Sequence, residues 1–166
     1  LQDASGSFKN TIPNVQNALK TLTTFVSEEN YDENNPRLVK TDNPDTSDRV
    51  MMATFQGADG YNYYYNNDFT GRKDTYGSWG PDYDYKYKAS NLSSDQNDIH
   101  QFIDNIKVAG GTPTVPAIDD VIAQYNQRKG NMANGRKTIF LLITDGVANG
   151  KRDPDGKVRL EYSDYR

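Results

Sequence analysis

The sequence predicts an α/β domain with an open, mainly parallel sheet flanked by helices, in the Rossmann-like class. Two observations carry this. Stretches with apolar residues at spacings of three and four alternate with short apolar runs, as helices alternating with strands do. The most apolar run, Ile139 to Ile143, is short and ends in Thr144-Asp145-Gly146, which suits a central parallel strand with a loop at its carboxyl end. The 166 residues match one ordinary domain.

Taken in order, the first segment must be a strand feeding into Asp3, although only Leu1 and Gln2 precede it. The chain also stops soon after the turn signal Asp155-Gly156. The expectation is a single, incomplete domain over 1–166, lacking sheet strands at both ends. Those strands would come from residues outside this chain or from discontinuous sequence.

Residues 11–29 read as an amphipathic helix, with Ile12, Val15, Leu19, Leu22 and Val26 on one face and Pro13 in the first turn. Residues 30–48 read as a loop rich in Asn, Asp and Pro. Val50 to Phe55 reads as a buried strand. Residues 59–90 form a Tyr-rich insertion: Tyr61, Tyr63, Tyr64, Tyr65, Tyr76, Tyr83, Tyr85 and Tyr87 make eight of the twelve tyrosines, and Trp79 is the one tryptophan. Within it Tyr83, Tyr85 and Tyr87 alternate with Asp84 and Lys86, the pattern of a half-exposed strand. A second helix is expected at 94–107, capped by Ser93 or Ser94, with Ile99, Phe102, Ile103 and Ile106 inward. A third is expected at 114–128, with Val115, Ile118, Val121, Ile122 and Tyr125 inward. Gly110-Gly111-Thr112-Pro113-Thr114 is a tight turn between them.

Composition excludes several functions. The net charge of -4 argues against a nucleic-acid face, as does an isoelectric point near 5.0. No stretch approaches the roughly 20 apolar residues of a membrane span. No signal peptide is visible, though a mature chain would have lost one. The absence of cysteine excludes disulfides, thiolate metal sites and Cys-Gln thioester chemistry.

Asp3-Ala4-Ser5-Gly6-Ser7 carries three oxygen side chains at alternating positions. Asp145 follows the most apolar strand, and Thr112 follows a Gly-Gly turn that opens a helix. In an open parallel sheet the carboxyl ends of the strands and the adjoining loops form the binding crevice, so all three segments can meet there. Asp3, Ser5, Ser7, Thr112 and Asp145 are hard oxygen donors. They favour Mg²⁺, or Mn²⁺ or Ca²⁺, over Zn²⁺ or Cu²⁺. The plainer reading of Asp3, Ser5 and Ser7 is a helix-capping loop. Thr114 is read as a cap.

These motifs resemble the von Willebrand factor A family, also called the integrin I domain family. Its metal-ion-dependent adhesion site combines Asp-x-Ser-x-Ser with a distant Thr and a further Asp. Asp3, Ser5 and Ser7 match the first element, Thr112 the second and Asp145 the third, so the resemblance spans about 1–150. The chain is most similar to the tip adhesins of Gram-positive bacterial pili. The resemblance implies a binding module without enzymatic activity, on the cell wall or at a pilus tip. It would bind a host matrix protein or glycan through the cation, with the pilus shaft or remaining adhesin domains as further partners. Some family members instead dock partners inside cells, in chelatase-like ATP-driven complexes. A metal-dependent hydrolase is the third class considered.

Tyr63, Tyr64, Tyr65 and Trp79 are candidate ligand contacts, since Tyr gives rigid amphipathic contact at low entropic cost. They could equally pack the insertion against the domain. His100 is expected to face solvent rather than act in catalysis. Asp82 and Asp84 are weak candidates for paired glycosidase carboxylates.

Overall fold

The computed structural model describes residues 1–57, 85–130 and 135–160. Most of the Tyr-rich insertion, including Tyr63, Tyr64, Tyr65, Trp79, Asp82 and Asp84, therefore lies outside the described residues.

A three-stranded sheet organises the molecule. Strand β1 (Gln2–Asp3) pairs in parallel with β4 (Ala53–Gly57), with Gln2 opposite Thr54 and Asp3 opposite Phe55. On its other edge β4 pairs antiparallel with β5 (Tyr85–Ala89), from Ala53 opposite Ala89 to Gly57 opposite Tyr85. A central strand is buried on both faces, which explains why Ala53, Thr54 and Phe55 are all buried. The expected strand at Val50–Phe55 is displaced toward the carboxyl end, and Val50 makes only an isolated bridge to Ser93.

On its free side β1 runs beside the apolar segment 139–143. The Leu1 nitrogen donates to the Leu141 carbonyl (2.7 Å), Ile143 N–H donates to Leu1 (2.9 Å) and Asp3 N–H donates to Ile143 (2.9 Å). The run expected as a central parallel strand forms no named strand, and Ile143 makes an isolated parallel bridge to Gln2. Only Leu141 to Ile143 lie alongside β1, and Ile139 is 90% exposed, with Phe140 and Leu141 about half exposed.

Helix α1 (Ile12–Leu22) starts with Pro13 in its first turn and ends well before residue 29. Thr23 and Thr24 turn their hydroxyls back onto the Leu19 and Lys20 carbonyls, at 2.8 and 2.7 Å. Such bonds compete with helix continuation. Phe25 and Val26 then form β2 (Phe25–Ser27), which pairs in parallel with β3 (Leu38–Lys40) inside the stretch expected to be loop.

Helix α2 (Gln96–Asp104) takes Asp95 as its cap, the carboxylate accepting from Asn97 N–H at 2.9 Å. The expected cap Ser93 instead accepts from Asp95 N–H. Ile99 and Ile103 are fully buried and join Leu19 and Met52 in the core, with Phe102 and Ile106 packed against it. His100 is half-buried, and its Nε2 is buried without a hydrogen-bond partner.

Helix α3 spans Thr114–Arg128, the bounds expected. Its buried side matches the expected one only in part: Val121 is buried as expected, but Thr114, Pro116 and Ala117 are buried too, while Val115 and Ile122 are exposed. Small residues let α3 lie close to the sheet. A hairpin of β6 (Gly150–Arg152) and β7 (Val158–Leu160) packs against it. No helix among the described residues is long and apolar enough to cross a membrane.

Candidate metal centre

Three loops at the carboxyl ends of β1 and the 139–143 segment, and at the start of α3, meet at one point. The first loop is seated by backbone bonds. Ala4 N–H donates to Phe55, Ala109 N–H donates to Ala4, and Gly6 N–H donates to Gly110, each at 2.9 Å. Gly110 has φ 67, a left-handed conformation suited to glycine. Gly57 and Gly111 exchange both backbone bonds at 3.0 Å, which ties the turn to the end of β4. A Cβ at Gly6 would meet Gly110 backbone atoms at 3.5–3.6 Å, so the two loops are in close contact.

Asp3 is fully buried and uses both carboxylate oxygens. Oδ1 accepts from Ser5 N–H at 2.8 Å, and Oδ2 accepts from the Thr144 hydroxyl at 2.8 Å. Ser5, 1% exposed, stands at the amino end of a short 3₁₀ turn (Gly6–Asn10). Its side chain makes no capping bond there. Its hydroxyl lies 3.0 Å from that of Ser7, which donates to Asp145 Oδ1 at 2.8 Å. The capping alternative fails for Ser5, because its oxygen is turned into this cluster. Thr114 is no cap either: it is the first residue of α3, and its hydroxyl lies 3.4 Å from the Thr112 carbonyl oxygen as donor.

Asp3, Ser5, Ser7 and Asp145 thus form one hydrogen-bonded chain. Thr112 enters from the third side. It is 7% exposed, and a Cβ built on Gly146 would stand 3.8 Å from its Oγ1, so Thr112 adjoins the loop that carries Asp145. Two further residues belong to the arrangement and were not singled out in the sequence. Thr144 binds Asp3. Asn149 binds Thr112 twice, Oδ1 accepting from Thr112 N–H at 2.6 Å and Asn149 N–H donating to the Thr112 carbonyl at 3.0 Å. Their only sequence signal is proximity to Asp145.

Burial pushes the Asp3 carboxyl up from its ordinary value. The bonds from Ser5 and Thr144 oppose this, and the neighbouring charge of Asp145 adds to it. Two carboxylates therefore share one cluster with the Ser5 and Ser7 hydroxyls, and Thr112 adjoins the Asp145 loop, so negative charge there opposes itself. A hard divalent cation would reverse that repulsion and accept this donor set. No three His, Cys, Asp or Glu side chains gather among the described residues, so hydroxyl oxygens are essential to any such site. The donor types are those a hard divalent ion takes.

No family model and no solved structure matches the chain. Over 158 residues it is 65% identical to Platelet adherence protein A of Streptococcus gordonii. The match covers 93% of this chain and 4% of the length of that relative.

Proposed function

We propose that this chain is a von Willebrand factor A-like adhesion module of a bacterial surface adhesin. In this reading it holds one divalent cation, Mg²⁺ or a similar hard ion, with Asp3, Ser5, Ser7, Thr112 and Asp145. The observation that carries it is the hydrogen-bonded chain from Asp3 through Ser5 and Ser7 to Asp145, which joins the first loop to a residue 138 positions beyond Ser7. Similarity to a protein named for platelet adherence supports an adhesive role and a place at the cell surface. The ligand class is a host cell-surface or matrix component with an accessible carboxylate.

The residues divide the work. Asp3 is buried and held at both oxygens, so its geometry is preset. Ser5 is likewise buried, whereas Ser7 and Asp145 stand at the exposed rim. A bound cation would supply an open coordination position for the ligand carboxylate. Adhesion of the wild-type chain to immobilised host matrix proteins and platelets, measured with and without chelator, tests the proposal beside Asp145→Ala. Chelator-sensitive adhesion that Asp145→Ala abolishes supports it; adhesion indifferent to both refutes the role of the ion.

A further inference from the structure

We infer that Asn149 is a positioning residue for the cation site, fixing the backbone of Thr112 so that its hydroxyl stays beside Gly146. The inference rests on the cation reading above. Thr112 follows two glycines, so its backbone is not held by the turn alone. Thr114 N–H also donates to the Thr112 carbonyl at 2.8 Å, and Asn149 adds a restraint from across the site. Its Oδ1 takes the Thr112 N–H at 2.6 Å and its own N–H reaches the Thr112 carbonyl at 3.0 Å. Both polar groups of one peptide residue are thus engaged by one partner. Thr112 cannot rotate about φ or ψ without breaking one of these bonds.

Asn149 is itself anchored. It immediately precedes β6, where Arg152 Nη2 donates to Asp120 Oδ1 of α3 at 2.8 Å and Nη1 donates to the Gly156 carbonyl at 3.0 Å. The Arg152 guanidinium also lies 5.9 Å from the centre of the Tyr85 ring. Thr112 leads into α3 through Pro113, and the hairpin is latched to the same helix. Both ends of the clamp therefore rest on α3, and Thr112 and the Asp145 loop keep a fixed relation. Partners that orient a metal ligand without touching the metal are worth roughly 10–100-fold in affinity.

The test uses the full chain with Asn149→Leu, which keeps the volume and removes the acceptor, and Asn149→Asp, which keeps the acceptor. Hydrogen exchange of the Thr112 amide is read in metal-free protein, and Mg²⁺ and Mn²⁺ affinity by calorimetry. In Asn149→Leu the Thr112 amide should exchange faster and ion affinity should fall by roughly 10–100-fold. In Asn149→Asp the amide should stay protected and affinity should not fall. Unchanged exchange in the Leu variant, lost protection in the Asp variant, or a loosened amide with full ion affinity would each overturn the inference. Wild-type protein that takes up no ion would overturn the cation reading instead, while the exchange data would still decide whether Asn149 holds Thr112.

Discussion

The hydroxyl of Thr144 donates to Asp3 Oδ2 at 2.8 Å, joining two residues 141 positions apart in the chain. Asp3 sits at the end of β1, and Thr144 follows the segment that pairs with β1. The bond therefore exists only when the two run side by side. It fixes the plane of the carboxylate and leaves Asp145, the next residue, at the rim.

Thr144→Val should remove this bond at nearly constant shape. The expected result is a loss of roughly tenfold or more in divalent-ion affinity, the low end for a residue that orients a ligand. The metal-free chain should lose roughly 1.5–3 kcal/mol of folding stability, the scale of a hydrogen bond to a charged group. Calorimetric titration and urea unfolding separate the two. Unaltered ion affinity would show that Thr144 does not position Asp3.

Ile99 of α2 is fully buried, in the core shared with Leu19 of α1, Met52 and Ile103. Ile99→Ala should lower stability by about 2–5 kcal/mol through lost burial and a residual cavity. A urea midpoint equal to the wild type would contradict the assignment of this core.

Asp120 accepts from both Tyr85, at 2.7 Å, and Arg152, at 2.8 Å, so α3 links β5 to the hairpin. Arg152 and Asp120 are about one-third exposed, so their ion pair alone should contribute only about 0.2–1 kcal/mol. Tyr85→Phe, which breaks a bond to a charged acceptor, should cost about 1.5 kcal/mol or more. A double-mutant cycle with Asp120→Asn should show the two losses to be strongly non-additive. Simple additivity would mean that Tyr85 and Asp120 act separately.

Alkali should weaken the fold through Tyr85 and Tyr87. Burial raises both phenols above the ordinary value, Tyr87 to about 12 and Tyr85 further. A raised folded-state pKa means the unfolded chain gives up the proton first. The stabilisation is complete below the unfolded tyrosine value, about 10. It is lost as pH rises toward the folded values. Unfolding free energy should therefore fall between pH 10 and about 12, less steeply in Tyr87→Phe. Parallel pH profiles for variant and wild type would remove Tyr87 as a cause.

How much of this was legible beforehand follows from what each residue depends on. Helix α3 could be read because its ends and its periodicity are local: Pro113 precedes it and a Gly follows the last turn. The buried side of α3 could be read only in part: Val121 lies inside, but Pro116 and Ala117 are buried and the larger Val115 and Ile122 stay outside. Val26 kept the helical spacing of α1, yet Phe25 and Val26 pair with Leu38 and Val39, a partner invisible to periodicity. Asp3, Ser5, Ser7, Thr112 and Asp145 are legible in the sequence as oxygen-bearing residue types in a pattern. Thr144 and Asn149 were missed because each acts through a bond to a distant loop, and nothing in their own neighbourhood announces it.

The central claim is that loops distant in sequence hold one divalent ion. The most direct measurement is calorimetric titration of metal-free protein with Mg²⁺ and Mn²⁺, beside Asp145→Ala. Asp145 is exposed, so the variant should fold and lose only its contribution to the site. One ion bound by the wild type and none by the variant is the expected result. A folded wild type that binds no ion, or a variant that binds as well as the wild type, would contradict the account.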